Sequence, residues 1–118
     1  MDVTIFHNPA CSTSRKVLER LRSFGVQPTV VDYIKTGWTR AQLQGLLKDM
    51  DAAPRDILRT KGELATSLGL TSPDAKDSQI LDAMVAHAAL VERPIVIGPG
   101  GTALCRPVET VDELLVSP

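Results

Sequence analysis

The sequence has little that would suit it to a specialised environment. Aromatic residues make up 3% of its 118 residues, and 13 basic and 14 acidic side chains leave a net charge of −1, so no general attraction to nucleic acid or to an anionic membrane is expected. No apolar run could cross a bilayer, and the N-terminus lacks the pattern of a secretory signal. We therefore expect a single cytoplasmic domain spanning residues 1–118, with no membrane or nucleic-acid partner.

Cysteine is scarce, and its spacing excludes two common uses. Cys11 and Cys105 are the two cysteines, and neither is part of a CxxC pair. A disulfide framework and a structural metal site are therefore not expected, and both thiols should be reduced. Ser14 occupies the position three after Cys11, where a CxxC redox pair has its second thiol. An external thiol would therefore have to resolve any disulfide formed at Cys11.

Cys11 lies between a predicted strand and a predicted helix. The strand covers about residues 2 to 6 and stops before Pro9, and a helix that ends near Gly25 follows it. Four apolar residues at helical spacing indicate this helix: Val17, Leu18, Leu21 and Phe24. The unpaired N–H groups and the positive dipole end at a helix N-terminus favour a thiolate over a thiol. A reactive, nucleophilic Cys11 is the first hypothesis.

The remaining elements predict an α/β fold. A strand from Thr29 to Ile34 completes a strand-helix-strand unit with parallel strands, and the region from about residue 39 to 90 is predicted to be helical. Two strands, Pro94 to Gly98 and Thr102 to Arg106, then flank a turn. The predicted domain has a small mixed four-stranded sheet, with the helical insertion between the strand-helix-strand unit and the C-terminal hairpin.

Helix starts inside and after the insertion are predicted from capping residues and prolines. Thr39, and Asp77 or Ser78, are expected to cap helices, whereas Pro54 and Pro107 are expected to begin them. The apolar stripe predicted for the helix after residue 77 consists of Ile80, Leu81, Met84, Val85 and Ala88.

Three arginines are candidates for stabilising charge near Cys11: Arg59, Arg93 and Arg106. Each stands at the edge of a predicted element, next to apolar residues or proline. A guanidinium presents planar N–H forks that match a tetrahedral oxyanion, and its charge persists at working pH. The competing interpretation is that each arginine pairs with an acidic surface residue. Sequence spacing alone does not decide between the two.

Four segments resemble the motifs of the glutaredoxin-linked arsenate reductase family, in the same order and with similar spacing over nearly the whole chain. They are His7-Asn8-Pro9-Ala10-Cys11-Ser12-Thr13-Ser14-Arg15, Leu58-Arg59-Thr60-Lys61, Arg93-Pro94-Ile95-Val96 and Cys105-Arg106-Pro107. The resemblance implies a thioredoxin-like fold with a helical insertion. It also implies reduction of arsenate to arsenite in arsenic resistance, with glutathione as co-substrate, glutaredoxin as partner and no bound cofactor.

The resemblance also assigns roles to the residues of these motifs. It implies that Cys11 is the catalytic nucleophile and that the three arginines form the oxyanion site. Supporting roles fall to His7, Asn8 and Ser14, of which His7 and Ser14 are expected to help keep Cys11 ionised. A structural hydrogen-bonding role for His7 is the alternative. The peptide bond before Pro94 is expected to be cis, as is usual in thioredoxin-like folds.

The second cysteine and the end of the chain carry two further expectations. Because side chains alternate along a strand, Cys105 should point away from the site if Arg106 points toward it, so Cys105 is predicted to be a buried structural thiol. The sequence stops at Pro118, whereas family members continue into a longer tail. Stability or substrate closure that depends on such a tail is expected to be absent.

Two other functions fit parts of the pattern. One is another thiol-redox activity on the same fold, such as deglutathionylation, for which the three arginines would have no use. The other is a regulatory interaction protein related to thiol regulators that bind RNA polymerase. Such regulators use a CxxC pair, so Ser14 weighs against this alternative.

Overall fold

The computed structural model describes residues 1–117, so the expectation attached to Pro118 lies outside the described residues. The elements are β1 (Thr4–His7), α1 (Ser12–Ser23), β2 (Thr29–Asp32), α2 (Tyr33–Thr36), α3 (Arg40–Met50), α4 (Leu64–Ser67), α5 (Asp77–Ala86), β3 (Ile95–Gly98), β4 (Gly101–Leu104) and α6 (Thr110–Leu114), with 3₁₀ turns at Pro54–Ile57 and Ala88–Leu90. None of the helices within residues 1–117 combines the length and the apolarity needed to cross a bilayer.

The chain divides into two compact units. The first unit joins Met1–Thr36 to the segment from Arg93 onward, and the second unit is Gly37–Glu92. The second unit contains α3, α4, α5 and both 3₁₀ turns. That the whole chain acts as a single domain stays a prediction.

The first unit is built on a four-stranded mixed sheet with the strand order β2-β1-β3-β4. β1 pairs in parallel with β2 and antiparallel with β3, and β3 and β4 form an antiparallel hairpin. This topology confirms the predicted α/β fold with its strand-helix-strand unit and C-terminal hairpin. The parallel register places His7 opposite Asp32, and the hairpin register places Ile95 opposite Leu104. The residues just before β3 therefore meet those just after β4.

The core of the first unit gathers apolar side chains from the sheet, α1 and α6. Its members are Val3, Ile5, Val17, Leu18, Leu21, Val26, Val96, Cys105, Val111 and Leu114. The prediction that Cys105 is buried is confirmed, since it is 0% exposed. Phe24 departs from the predicted stripe: it follows α1, is 52% exposed, and its ring lies 5.5 Å from the Arg20 guanidinium. Gly25 then takes a φ of 78°, which ends the helix.

The second strand is shorter than the sequence predicted. β2 ends at Asp32, and Tyr33 and Ile34 belong to α2. The Asp32 carboxylate accepts a hydrogen bond of 3.4 Å from the backbone N–H of Lys35, and this local bond favours a helical turn over a continued strand. The side chains of Tyr33 and Ile34 favour β structure and therefore indicated a strand. The sequence pattern does not show the local hydrogen bond that favours a helical turn.

Helix starts in the second unit follow the capping chemistry in one case and depart from it in another. At α3, the Gln42 N–H donates to Thr39 Oγ1 at 3.1 Å and the Thr39 N–H donates to Gln42 Oε1 at 3.4 Å, which confirms the predicted cap. α5 begins at Asp77 with Lys76 as its N-cap, so the prediction that Asp77 or Ser78 caps this helix is wrong. The Asp77 carboxylate instead lies in the first turn, where the helix dipole favours negative charge.

Two smaller predictions also need correction. Pro54 begins a 3₁₀ turn as expected, but Pro107 does not begin the last helix: α6 starts at Thr110, whose N–H donates to the Pro107 carbonyl at 3.1 Å in a preceding turn. Val85 is 41% exposed and lies outside the buried stripe of α5. Its neighbour Met84 takes the core position, and consecutive residues of a helix point about 100° apart.

Candidate active site

The turn between β1 and α1 places Cys11 at the N-terminus of the helix. The Cys11 N–H donates to the Asn8 carbonyl at 3.0 Å, and the Cys11 carbonyl accepts from the Arg15 N–H at 3.0 Å. Asn8 Oδ1 also accepts from the Ala10 N–H at 3.0 Å, which braces the turn. Cys11 has extended backbone angles of −94° and 121° and is the N-cap of α1. Its side chain therefore lies at the N-terminal end of α1, where the partial positive charge of the helix favours an anion.

Hydrogen-bond donors favour the thiolate form of Cys11. Partial burial raises the pKa of the thiol, but the backbone N–H of Ser14 and the guanidinium groups of Arg93 and Arg106 together hold this pKa below its ordinary value. Arg106 Nη1 lies 3.9 Å from Cys11 Sγ. The lowered pKa increases the fraction of nucleophilic thiolate near neutral pH.

The hairpin of β3 and β4 brings two of the predicted arginines together. Arg93 lies just before β3 and Arg106 just after β4, and Arg106 Nη1 donates to the Arg93 carbonyl at 3.0 Å. The Arg93 side chain is buried, whereas Arg106 is exposed. The Arg93–Pro94 bond is cis, as the family resemblance implied, and the Arg106–Pro107 bond, which was not anticipated, is cis as well.

His7 and Ser14 form a buried hydrogen-bonded pair beneath the Cys11 turn. His7 Nδ1 lies 2.6 Å from Ser14 Oγ, which also accepts from the Asn8 N–H at 3.1 Å. Burial lowers the pKa of His7 despite the neighbouring Asp32 carboxylate, which raises it, so the neutral imidazole is favoured. In the neutral tautomer that carries its proton on Nε2, Nδ1 accepts a hydrogen bond from the Ser14 hydroxyl. His7 thus supports Ser14, one of the residues whose groups lower the pKa of Cys11.

Arg59 belongs to the second unit, where it has an acidic partner. Its Nη1 atom lies 2.7 Å from Glu92 Oε1, and the two side chains are 19% and 21% exposed. This ion pair agrees with the interpretation that a candidate arginine pairs with a neighbouring carboxylate. It leaves the other N–H groups of the guanidinium for an anion, so membership of Arg59 in an oxyanion site stays a prediction.

Two acidic residues beside these groups were not singled out in the sequence. Asp32 raises the pKa of His7 from the neighbouring strand, and Glu92 pairs with Arg59. Each carried a weak signal, because Asp32 falls at the end of the strand parallel to β1 and Glu92 directly precedes Arg93. The partner of each depends on strand register, which the spacing of residues along the chain does not show.

A mixed four-stranded sheet and a cysteine capping its first helix define a thiol protein of thioredoxin-like fold. The profile of the ArsC family matches residues 6–114. The chain belongs to the ArsC family.

Individual relatives agree with this assignment. An arsenate reductase of Rhizobium meliloti (strain 1021) is 45% identical over 115 residues, which cover 98% of this chain and 82% of the relative. The arsenate reductase of Escherichia coli (strain K12) is 45% identical over 114 residues, which cover 97% and 81%. Among solved structures, an arsenate reductase from Vibrio cholerae has a TM-score of 0.92 at 37% identity and covers 98% of both chains.

Proposed function

We propose that this chain reduces arsenate to arsenite, using the Cys11 thiolate as nucleophile and glutathione and glutaredoxin as reductants. The observation that carries the proposal is the position of Cys11, which is the N-cap residue of α1 and whose sulfur lies 3.9 Å from Arg106 Nη1. A thiolate beside guanidinium forks suits attack on a tetrahedral oxyanion. Relatives of this chain that carry the name arsenate reductase support the choice of arsenate as that anion.

The first step joins the sulfur of Cys11 to arsenic. Arg93, Arg106 and the N–H groups at the start of α1 attract the arsenate anion. The Cys11 thiolate attacks arsenic, an S–As bond forms and an As–O bond breaks. The departing oxygen takes up protons and leaves as water. The guanidinium groups stabilise the negative charge that builds on the remaining oxygens.

The second step reduces arsenic with a thiol from outside the chain. The sulfur of glutathione attacks the sulfur of Cys11, the S–As bond breaks with its electron pair on arsenic, and the thiol proton passes to an arsenite oxygen. Arsenic gains two electrons, and the two sulfurs become a mixed disulfide. A glutaredoxin thiolate then takes the glutathione sulfur and releases the Cys11 thiolate.

The second cysteine of the chain is not suited to replace these external thiols. Cys105 is 0% exposed, and burial followed by the charge of Asp112 raises the pKa of its thiol to about 12. Ser14 has a hydroxyl where a resolving thiol would stand in a CxxC pair. An external reductant follows from both features.

The test is an NADPH-coupled assay that contains arsenate, glutathione, glutaredoxin and glutathione reductase. We expect arsenate-dependent NADPH oxidation by the native chain and by Cys105→Ala, and none by Cys11→Ser. Replacing glutaredoxin with thioredoxin and its reductase should abolish turnover, which tests the reductant separately from the substrate. Absence of arsenate-dependent turnover in the native chain with either reductant would refute the proposed function.

A further inference from the structure

A groove beside the turn that carries Cys11 is built entirely from residues of the first unit. Its volume is about 410 Å³, within the range of roughly 300 to 1,000 Å³ that is typical of small-molecule sites. Its lining residues are His7, Pro9, Arg15, Leu18, Glu19 and Arg22. The last four have the i, i+3, i+4, i+7 spacing of one helix face, so the groove follows α1 from the Cys11 turn toward the end of the helix.

The groove has a buried floor and a charged rim. His7 and Leu18 are buried and form the floor. Three exposed charged residues form the rim: Arg15, Glu19 and Arg22. The rim therefore offers two positive charges and one negative charge to a bound molecule.

Arg15 is held in place at the end of the groove next to the turn. Its Nη1 atom donates to the Pro9 carbonyl at 2.7 Å, which leaves Nε and Nη2 to bind a carboxylate through two parallel hydrogen bonds. Burial is the main cause of the lowered pKa of His7, and after the opposing charge of Asp32 the charges of Arg22 and Arg15 lower it further. The positive charge of both arginines thus acts on the floor of the groove.

We propose that this groove binds glutathione, with Arg15 and Arg22 each contacting one of its two carboxylates and Glu19 contacting its ammonium group. This inference rests on the proposed function, which takes glutathione as the thiol that attacks Cys11. Glutathione has two carboxylates and one ammonium group near neutral pH, so each of its charges meets the opposite charge on the rim. Arg15 and Arg22 are about 10 Å apart along the helix axis, and an extended tripeptide is also about 10 Å long.

The position of the groove suits transfer of the glutathione thiol to Cys11. Cysteine is the central residue of glutathione, so its thiol lies between the two carboxylates. Pro9 lines the groove, and Cys11 is two residues further along the chain, at most about 7.6 Å away between Cα atoms. Glutathione bound in the groove is therefore held beside the residue with which it reacts, which favours the reaction over one between freely diffusing molecules.

The experiment measures the reaction of Cys11 with glutathione disulfide in the absence of arsenate. The Cys11 thiolate attacks one sulfur, the S–S bond of glutathione disulfide breaks, and a glutathione thiolate leaves as the mixed disulfide forms. Mass spectrometry gives the rate constant, which is divided by that for the uncharged 2-hydroxyethyl disulfide so that a change in the pKa of Cys11 cancels. Arg15→Ala and Arg22→Ala should each lower this ratio by about three- to tenfold, because each removes one contact with a carboxylate.

Two further variants separate specific contacts from a general attraction of anions. Lys16→Ala is the matched control, because it removes an exposed positive charge of α1 that does not line the groove. Its ratio should stay within about twofold of that of the native chain. Glu19→Gln should lower the ratio through loss of the ammonium contact, whereas a general attraction of anions would raise it, since the surface becomes more positive.

The outcomes for the groove and for the proposed function can be told apart. An equal fall in Lys16→Ala, a rise in Glu19→Gln or an unchanged ratio in either arginine variant would overturn the inference, while arsenate turnover by the native chain still supports the proposed function. Lowered ratios in a chain that does not reduce arsenate would support the groove and refute the proposed function alone. Unchanged ratios in a chain that does not reduce arsenate would refute both.

Discussion

The two cysteines lie in regions of the first unit that give the same side chain opposite properties. Cys11 caps α1 beside two guanidinium groups, and its pKa lies below the ordinary value because the donors from Ser14, Arg93 and Arg106 outweigh burial. Cys105 is enclosed by the apolar core, and burial raises its pKa to about 12. Reactivity is therefore set by the surroundings of the thiol and not by the residue type.

A single step along the chain separates the inert region from the reactive one. Cys105 follows β4 and points into the core, whereas the next side chain, Arg106, reaches the Cys11 sulfur at 3.9 Å. Alternation of side chains along an extended segment produces this split. The same hairpin end therefore shields one thiol and contributes to the activation of the other.

The largest expected effect is a difference in alkylation rate between the two thiols. At pH 7, a thiol with a pKa of about 12 is ionised to about one part in 100,000, whereas a pKa below 9 gives more than about one part in 100. Iodoacetamide should therefore modify Cys11 at least about 1,000-fold faster than Cys105. Mass spectrometry of timed digests measures both rates. The rates should converge in urea, and similar rates in the folded chain would remove the contrast.

The next largest effect should follow removal of a guanidinium from the reactive region. Arg106→Ala should lower kcat for arsenate by about 100-fold, because a charged donor to the developing negative charge is lost. The same change should raise the pKa of Cys11, since one group that lowers it is gone. Thiolate absorbance followed against pH measures this pKa. Arg40→Ala, which removes an arginine of the second unit, is the control and should leave both quantities unchanged.

Most of the region around Cys11 could be predicted from the sequence, because the residues that indicate it lie close together in the chain. A strand that stops before Pro9, an amphipathic helix that starts after Cys11 and a serine at position 14 are all visible within one segment. Arg93 and Arg106 were candidates because each stands at the edge of a predicted element, and the family resemblance assigned them to the oxyanion site. The hairpin register explains why they meet. Spacing alone could not show this, because the meeting depends on strand pairing across the sheet.

The features that escaped prediction depend on competition or on register. The helical turn at Tyr33 is favoured by a hydrogen bond to the Asp32 side chain, and an alternating pattern of apolar residues does not show such a bond. The pair of Arg59 and Glu92 requires the isolated bridge between Leu58 and Val91, which joins segments more than 30 residues apart in the sequence. Long-range pairing of this kind leaves little trace in local composition.

A third prediction compares the two thiols through stability in alkali. Between pH 9 and about 12, an unfolded Cys105 releases its proton while the native one keeps it, so the native state binds more protons and stability falls by about 1.4 kcal/mol per pH unit. Cys105→Ala should remove this slope. The ionisation of Cys11 has the opposite effect on stability. Because its pKa is lowered in the folded chain, it stabilises the native state at high pH, and this contribution is lost as pH falls through the pKa of the folded state.

Urea unfolding of the native chain, Cys105→Ala and Cys11→Ser over a pH series measures these slopes. Cys105→Ala also leaves a cavity, which lowers the free energy of unfolding at every pH. The test is therefore how this free energy changes with pH, and not its absolute value. A slope in Cys105→Ala as steep as that of the native chain would show that the buried thiol titrates as easily as an exposed one.

The smallest expected effect concerns His7, the second titratable group in the reactive region. Burial lowers the pKa of His7 below 6.5, so as pH falls through that value an unfolded chain takes up a proton that the native chain refuses, and stability decreases. The charge of Asp32 opposes this shift, and Asp32→Asn should lower the pKa of His7 further and extend the acid loss of stability to lower pH. Proton NMR of the imidazole gives the pKa, and Asp2→Asn is a control with the same change in charge on an exposed residue. An unchanged pKa in Asp32→Asn would mean that the strand register does not couple these side chains. A fall confined to Asp32→Asn would show that the charge of Asp32 offsets part of the effect of burial on His7.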